Sequence, residues 1–438
     1  MPPVATHGSG PYLFDHAGRR YLDASGGAAV SCLGHSHARV VDALVAQART
    51  LAFAHTSFFT NEPLERLADF LVARAPRGIA KVGVVCDGSE AVEAAIKLAR
   101  QYWIEQGAAS RTWFVSRHLS YHGNTLGALA CSGHLARRAA YTPYLNDRTA
   151  FIAPCYAYRN RRDDESDAAY GRRTANELEK VIQRLGPEQV AAFIAEPVVG
   201  ATGGCLPPVE GYFTRIREIC DRYGVLFFAD EIMCGMGRTG TLFACEQEGV
   251  APDLITVAKG LGAGYQPIGA VLVHDRLVRA IEAGSGALLQ GHTYMGHPVA
   301  CAAALAVQEA IEEDGLLENV RAMGTLLEAR LRDAFGSHPY VGDIRGRGLF
   351  WALELVEDRA TKRPFDPKLL VHARVKREAQ ALGLICYPSG GVADGTAGDH
   401  VLLAPPYIVD ASHIDEMIDT LRATFDTVLA ERESRAHA

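Results

Sequence analysis

The sequence predicts an α/β protein, with a large unit on a mainly parallel central sheet followed by a smaller α+β unit. Two observations carry the first part. Apolar runs of strand length recur at Lys81 to Cys86, Thr112 to Ser116, Val190 to Ala195, Val225 to Ala229, Leu254 to Val257 and Ile268 to Val273. Helical patterns fall between them, at Glu90 to Glu105, Thr174 to Leu185 and Tyr212 to Tyr223. Runs that are apolar throughout are what strands covered on both faces look like, and a strand–helix–strand rhythm gives a parallel sheet. A third observation carries the second part. After a helix-rich stretch from Pro298 to Ala334, the pattern becomes strand at Gly342 to Val356, helix at Pro367 to Leu382, strand at Val401 to Ala404 and helix at Ala411 to Ala430.

The elements before the sheet follow from local chemistry. The segment GPYLFDHAGRRYLD alternates apolar and polar residues about Asp15 to Gly18, which predicts a hairpin turn. Ala38 to Arg49 reads as an amphipathic helix. Leu64 to Arg74 reads as another, with Pro63 just inside its start, where a missing N–H costs nothing. The mixed-charge run Arg159 to Arg173 reads as a solvated loop, and Gly390 to Gly398 as a loose polar loop.

Composition excludes several classes. The chain has 438 residues, 48% of them hydrophobic and 22% charged, with a formal net charge of −7. That length suggests about three units at roughly 150 residues each, and that usage belongs to a globular chain. No dense basic stripe offers a nucleic-acid partner, and no apolar run of about 18 residues offers a membrane span. Met1 to Asp15 lacks a basic start and an apolar signal core, so a cytoplasmic location is expected. The ten cysteines form no C-x-x-C pair. They read as small buried hydrophobes, with no metal site expected.

Three places can carry chemistry. At Asp87 to Arg100 an apolar strand ends and Gly88-Ser89 opens a helix, whose free N–H groups and positive dipole end favour an anion. An ordinary helix cap accounts for the same residues. Asp230 closes the most apolar strand of the chain, where open α/β sheets place ligands; a turn cap or a partner for Arg238 is the plain alternative. Lys259 is one of only seven lysines. It follows an apolar strand and precedes Gly260, Gly262 and Gly264. Burial lowers a lysine pKa and makes the amine a competent nucleophile. Pyridoxal phosphate requires these three together: a phosphate cradle, a carboxylate for the pyridinium nitrogen, and a Schiff-base lysine. Gly235 to Gly240 formally spells G-x-G-x-x-G, but it neither directly follows the strand nor opens a good helix, so a nicotinamide dehydrogenase is a distant alternative.

GSEAVEAAIKLAR, SYHG, AEPVVGATGG, ADEIMCGMGRTG, AKGLGAGYQPIGA, GHTYMGHP and IRGRGLF occur in this order. The set resembles the class III aminotransferases of the fold-type I pyridoxal-phosphate enzymes, from about Gly10 to the C-terminus. The resemblance implies a large pyridoxal-phosphate-transferase-type domain, placed at 63–325, with a smaller α+β domain formed by both chain ends, 1–62 and 326–438. It also implies a role for each matched residue. Lys259 would be the Schiff-base lysine and Asp230 the partner of the ring nitrogen. Gly88 and Ser89 would form the phosphate loop. Tyr121 would stack on one ring face, with His122 and Gly123 completing its turn, and Ile232 would cover the other face. Glu196 would lie near the substrate side. Thr293 would reach the phosphate from a neighbouring subunit, hence a homodimer or a dimer of dimers.

Three departures bear on substrate. Enzymes of this group acting on γ-aminobutyrate or ornithine typically carry Arg after the His-Gly, where this chain has Asn124. They carry Gln where it has Met233, and a second Arg where it has Leu402. Losing two bidentate carboxylate grips is not conservative. Arg345 and Arg347 are present, though IRGRG reads as structural. The donor is therefore expected to be an amine or ω-amino acid, and the acceptor a keto acid such as pyruvate. Ala29, Phe58 and Phe59 are pocket candidates by approximate position. A racemase, decarboxylating transaminase or aminomutase on the same cofactor is the nearest alternative.

Overall fold

The structure is a computed structural model that describes residues 2–430. Its centre is a seven-stranded sheet. The order across it is Ile79–Val85, Gly269–His274, Leu254–Val257, Leu226–Asp230, Val190–Ala195, Trp113–Arg117 and Thr149–Ile152. Gly269–His274 runs antiparallel to both of its neighbours, and the remaining pairings are parallel. The predicted runs fall on these strands within one or two residues. Every residue of Val190–Ala195 and Leu226–Asp230 is buried, as the unbroken apolar runs require. The strand Thr149–Ile152 was not expected. It is a short edge strand, only partly buried, and so has little apolar pattern to show.

Helices Gly88–Glu105, Asp167–Leu185 and Tyr212–Tyr223 cover the sheet. Helix Glu62–Arg74 starts as its proline suggests, with Asn61 Oδ1 accepting from the Leu64 N–H at 3.0 Å. The charged run 159–173 is a loop only in part. Asp167 begins a helix of 19 residues, and Arg159 is drawn inward to Glu354. Charge count alone did not show that the run's second half has a buried helical face.

The two chain ends share a core. Leu384–Ile385 pairs in parallel with Leu22–Asp23, which extends the N-terminal strands Ala5–Ser9, Tyr12–Asp15 and Arg20–Asp23. Leu22, Leu33 and Val40 join one apolar cluster with Phe335, Leu353 and Phe425. A second four-stranded sheet is formed by Val341–Arg347, Phe350–Leu355, Asp399–Leu403 and Tyr387–Gly390. The position expected to divide the chain near 325 falls inside helix Leu316–Phe335. Nine of the ten cysteines are buried and none is paired.

Candidate active site

The carboxyl ends of the parallel strands open on a cavity of about 600 Å3. This placement follows from the topology, because each such strand ends there and a loop or helix start takes over. Gly88, Ser89, Tyr121, His122, Glu196, Asp230, Ile232 and Lys259 all line the cavity. Residues spread over 170 positions of sequence thus meet in one place.

Asp230 is the last residue of its strand and is buried. Its Oδ2 lies 2.7 Å from His122 Nδ1. Its Oδ1 accepts from the Ile232 N–H at 3.1 Å and faces the Thr256 hydroxyl at 3.3 Å. His122 Nε2 sits 3.3 Å from the Ser116 hydroxyl, and the His122 N–H donates to Ser132 Oγ at 2.8 Å. The carboxylate is therefore fixed from both sides, with its ring partner fixed in turn.

Glu196 follows Val190–Ala195 directly. Its two oxygens accept from the N–H groups of Tyr121 (3.2 Å) and Gly200 (2.8 Å). Burial pushes its carboxyl pKa up, opposed by His122 and reinforced by Asp230. Lys259 opens a short turn after Leu254–Val257 and adopts φ 45°, a conformation that non-glycine residues rarely take. Burial lowers its ammonium pKa, against the pull of the Asp230 and Glu196 carboxylates. The amine is thus held beside two acids yet biased toward its neutral, nucleophilic form.

The helix start differs in detail from the expected cap. Asp87, not Ser89, is the capping residue, its Oδ1 accepting from the Glu90 N–H at 2.9 Å. Ser89 Oγ instead accepts from the Asn124 N–H at 3.0 Å, which ties the Tyr121–Gly123 turn to the helix. Gly123 has φ 137°, and a Cβ there would lie 2.9 Å from Ser89 Cα and from Ala128 Cβ. A Cβ on Gly88 would lie 3.0 Å from two Ile232 carbons. Both glycines let backbone approach the cavity closely.

Several expected residues stand elsewhere. Ala29 is buried among Val198, Cys234 and Leu402 and does not line the cavity; its neighbours Ala28 and Val30 do. Approximate position placed it one residue off. Phe58 and Phe59 are 80% and 68% exposed on the single chain. Thr293 is exposed and outside the cavity. Leu402 lies in the apolar core, and Asn124 does not line the cavity. Arg345 is locked to Glu354, Asp343 and the Gly203 and Gly204 carbonyls, while Arg347 pairs with Glu248. Neither arginine faces the cavity, so IRGRG is structural. The turns after Asp230 open no helix at Gly235–Gly240, which leaves the dinucleotide motif without its structural context. Arg137, Gln266 and Tyr387 line the cavity without having been singled out. Arg137 and Tyr387 lie outside the matched motifs, and Gln266 lies inside AKGLGAGYQPIGA without a pattern of its own, so only the fold brings them in.

The aminotransferase class-III family model matches residues 1–425. An uncharacterized aminotransferase of Schizosaccharomyces pombe is 46% identical over 429 residues, covering 98% of this chain and 94% of that protein. Among solved structures, an (S)-enantioselective omega-transaminase from Thermomicrobium roseum superposes with a TM-score of 0.92 at 34% identity, over 98% of this chain and 93% of that one. The PMP-bound form of an aminotransferase from Vibrio fluvialis also gives 0.92, at 35% identity and with the same coverage.

Proposed function

The chain belongs to the class III aminotransferases, enzymes of pyridoxal-phosphate-dependent transamination, and from that premise we propose that its donor is an amine or ω-amino acid and its acceptor a keto acid such as pyruvate. The omega-transaminase likeness supports this donor class. The observation that carries the substrate reading is the absence of the usual carboxylate grips. Leu402 is fully buried in apolar surroundings, and Asn124 stands outside the cavity. A donor with a carboxylate beside its amino group would lose two bidentate contacts at those positions.

The residues present fit pyridoxal phosphate. Gly88 and Ser89 offer first-turn N–H groups where a Cβ would crowd Ile232, and these would hold its phosphate. The Asp230 carboxylate would face its ring nitrogen, and Lys259 would hold it through Nζ. Tyr121 and Ile232 would cover its two faces. When bound, the group supplies an electron sink for the bonds of the substrate carbon that bears nitrogen.

The chain's own groups do the rest. Asp230 keeps its orientation through His122, Ile232 and Thr256, so its charge needs no reorganisation during reaction. Lys259 Nζ, biased toward the neutral amine, takes the proton from the substrate carbon and later returns one. Glu196 braces the Tyr121 turn and closes the wall toward Gly200. For Thr293 to act at the phosphate, a second copy must bring it in, so the active enzyme is a homodimer or a dimer of dimers.

The test is the visible spectrum of the protein loaded with pyridoxal phosphate. The cofactor band should fall on addition of an amine or ω-amino acid and return with pyruvate. A band that responds to α-amino groups of α-amino acids alone, and to no amine or ω-amino acid, overturns the donor class. Consumption of an amino acid with no need for a keto acid would favour the racemase reading.

A further inference from the structure

A keto acid brings a carboxylate into a cavity already lined by Asp87, Glu196 and Asp230. Coulomb repulsion opposes that entry unless a cation receives it. Arg345 and Arg347 are engaged elsewhere. Among the described lining residues, the arginine and lysine side chains are Arg137 and Lys259, and Lys259 is committed to the reaction.

Arg137 sits in the short helix Leu135–Arg138, beyond the Tyr121–Gly123 turn. Its neighbour Arg138 is spent on structure, donating to the carbonyls of Leu129, Ala130 and Ser132 at 3.1, 2.6 and 2.8 Å. Arg137 is not. Its guanidinium carbon lies 4.5 Å from the Tyr121 ring centroid, and among the described residues no ion pair or hydrogen bond occupies its N–H groups. The aromatic contact steadies the guanidinium without using the donors at its edge. Its charge also reaches Lys259, whose ammonium it disfavours.

We infer that Arg137 binds the carboxylate of the keto acid acceptor, taking the place of the two absent arginines. This rests on the transaminase reading above. The guanidinium fork matches a carboxylate in a bidentate way that a lone ammonium does not. Because Arg137 is exposed at the cavity mouth, its replacement removes no packed core, and the folded enzyme can be compared directly.

The experiment compares acceptors in wild type, Arg137→Gln and Arg137→Lys, each loaded with pyridoxal phosphate. The readout is the ratio of kcat/KM for pyruvate to that for propanal, an acceptor of the same length without the carboxylate. The ratio should fall about tenfold or more in Arg137→Gln and be partly restored in Arg137→Lys. A ratio within twofold of wild type overturns the inference. Separately from turnover, saturation-transfer NMR should detect butyrate, a carboxylate that cannot react, on the wild-type protein and not on Arg137→Gln. Equal butyrate signals on both would also overturn it. If wild type transfers no amino group to any acceptor, the transaminase reading has failed before Arg137 is tested.

Discussion

His122 Nδ1 lies 2.7 Å from Asp230 Oδ2, and both side chains are buried. The imidazole joins the SYHG turn to the end of the strand Leu226–Asp230, so a loop residue sets the orientation of a sheet carboxylate. His122→Phe keeps a ring in place but removes the donor. Asp230 retains only the Ile232 N–H and the Thr256 hydroxyl. A hydrogen bond to a charged group contributes roughly 1.5–3 kcal/mol, so kcat should fall about 10- to 100-fold. Steady-state kinetics on the cofactor-loaded variant checks this, and an unchanged kcat would show that Asp230 does not depend on the histidine.

Lys259 leads to a prediction about pH. Its pKa lies below the ordinary lysine value because burial disfavours the ammonium, while Asp230 and Glu196 oppose the shift. The folded state therefore binds fewer protons at Lys259 than the unfolded chain does at pH values between the lowered value and the ordinary one. Borohydride trapping of pyridoxal phosphate on Lys259 should rise with pH along a curve whose midpoint lies below 10.5. Glu196→Gln removes one carboxylate that favours the ammonium, so its midpoint should move lower still. Lys259→Ala should trap nothing and turn over no substrate. A Glu196→Gln midpoint above that of wild type would contradict the charge assignment.

Two glycines should respond differently to the same added methyl group. At Gly123 the backbone is at φ 137°, and the new Cβ would meet Ser89 Cα, which is backbone, at 2.9 Å. At Gly88 it would meet the ends of the flexible Ile232 side chain at 3.0 Å. Gly123→Ala must move the turn or the helix start, with strain of order 1–3 kcal/mol. Cofactor affinity should therefore fall about tenfold or more in Gly123→Ala and several-fold less in Gly88→Ala. Equilibrium titration with pyridoxal phosphate ranks the two.

Much of this site could be read in the sequence because its parts sit at strand ends. Asp230 ends an unbroken apolar run and Lys259 follows a mostly apolar one, and a charged residue there stands out against its surroundings. Gly88 and Ser89 mark a strand-to-helix switch, and both proved to line the cavity. Arg137 could not be read in this way. It is one arginine among many, and neither period nor spacing separates it from Arg138, whose guanidinium serves three backbone carbonyls and the Phe151 ring. Ala29 shows the same limit at finer grain. Backbone at φ 62° turns it into the core while its neighbours line the cavity, and side-chain direction at such a turn is not encoded in apolar pattern.

Arg345 supplies the last prediction. It is buried, with Nη1 2.6 Å from Glu354 Oε2 and 2.8 Å from Asp343 Oδ2, and it donates to the Gly204 carbonyl at 2.8 Å and the Gly203 carbonyl at 2.7 Å. Tyr156 and Arg159 also bind Glu354. The network fastens the loop after Glu196, which carries Ala201 into the cavity wall, to the sheet built from Val341–Arg347 and Phe350–Leu355. Removing one partner of a buried ion pair leaves an uncompensated charge and costs about 3–5 kcal/mol. Arg345→Leu should lose roughly that much in urea unfolding. The paired change Arg345→Leu with Glu354→Leu should lose more still, since Arg159 and Tyr156 are then left without their carboxylate partner. If Arg345 served the substrate instead, the single variant would raise the KM for pyruvate without lowering stability, and unfolding curves that superpose on wild type would require that reading.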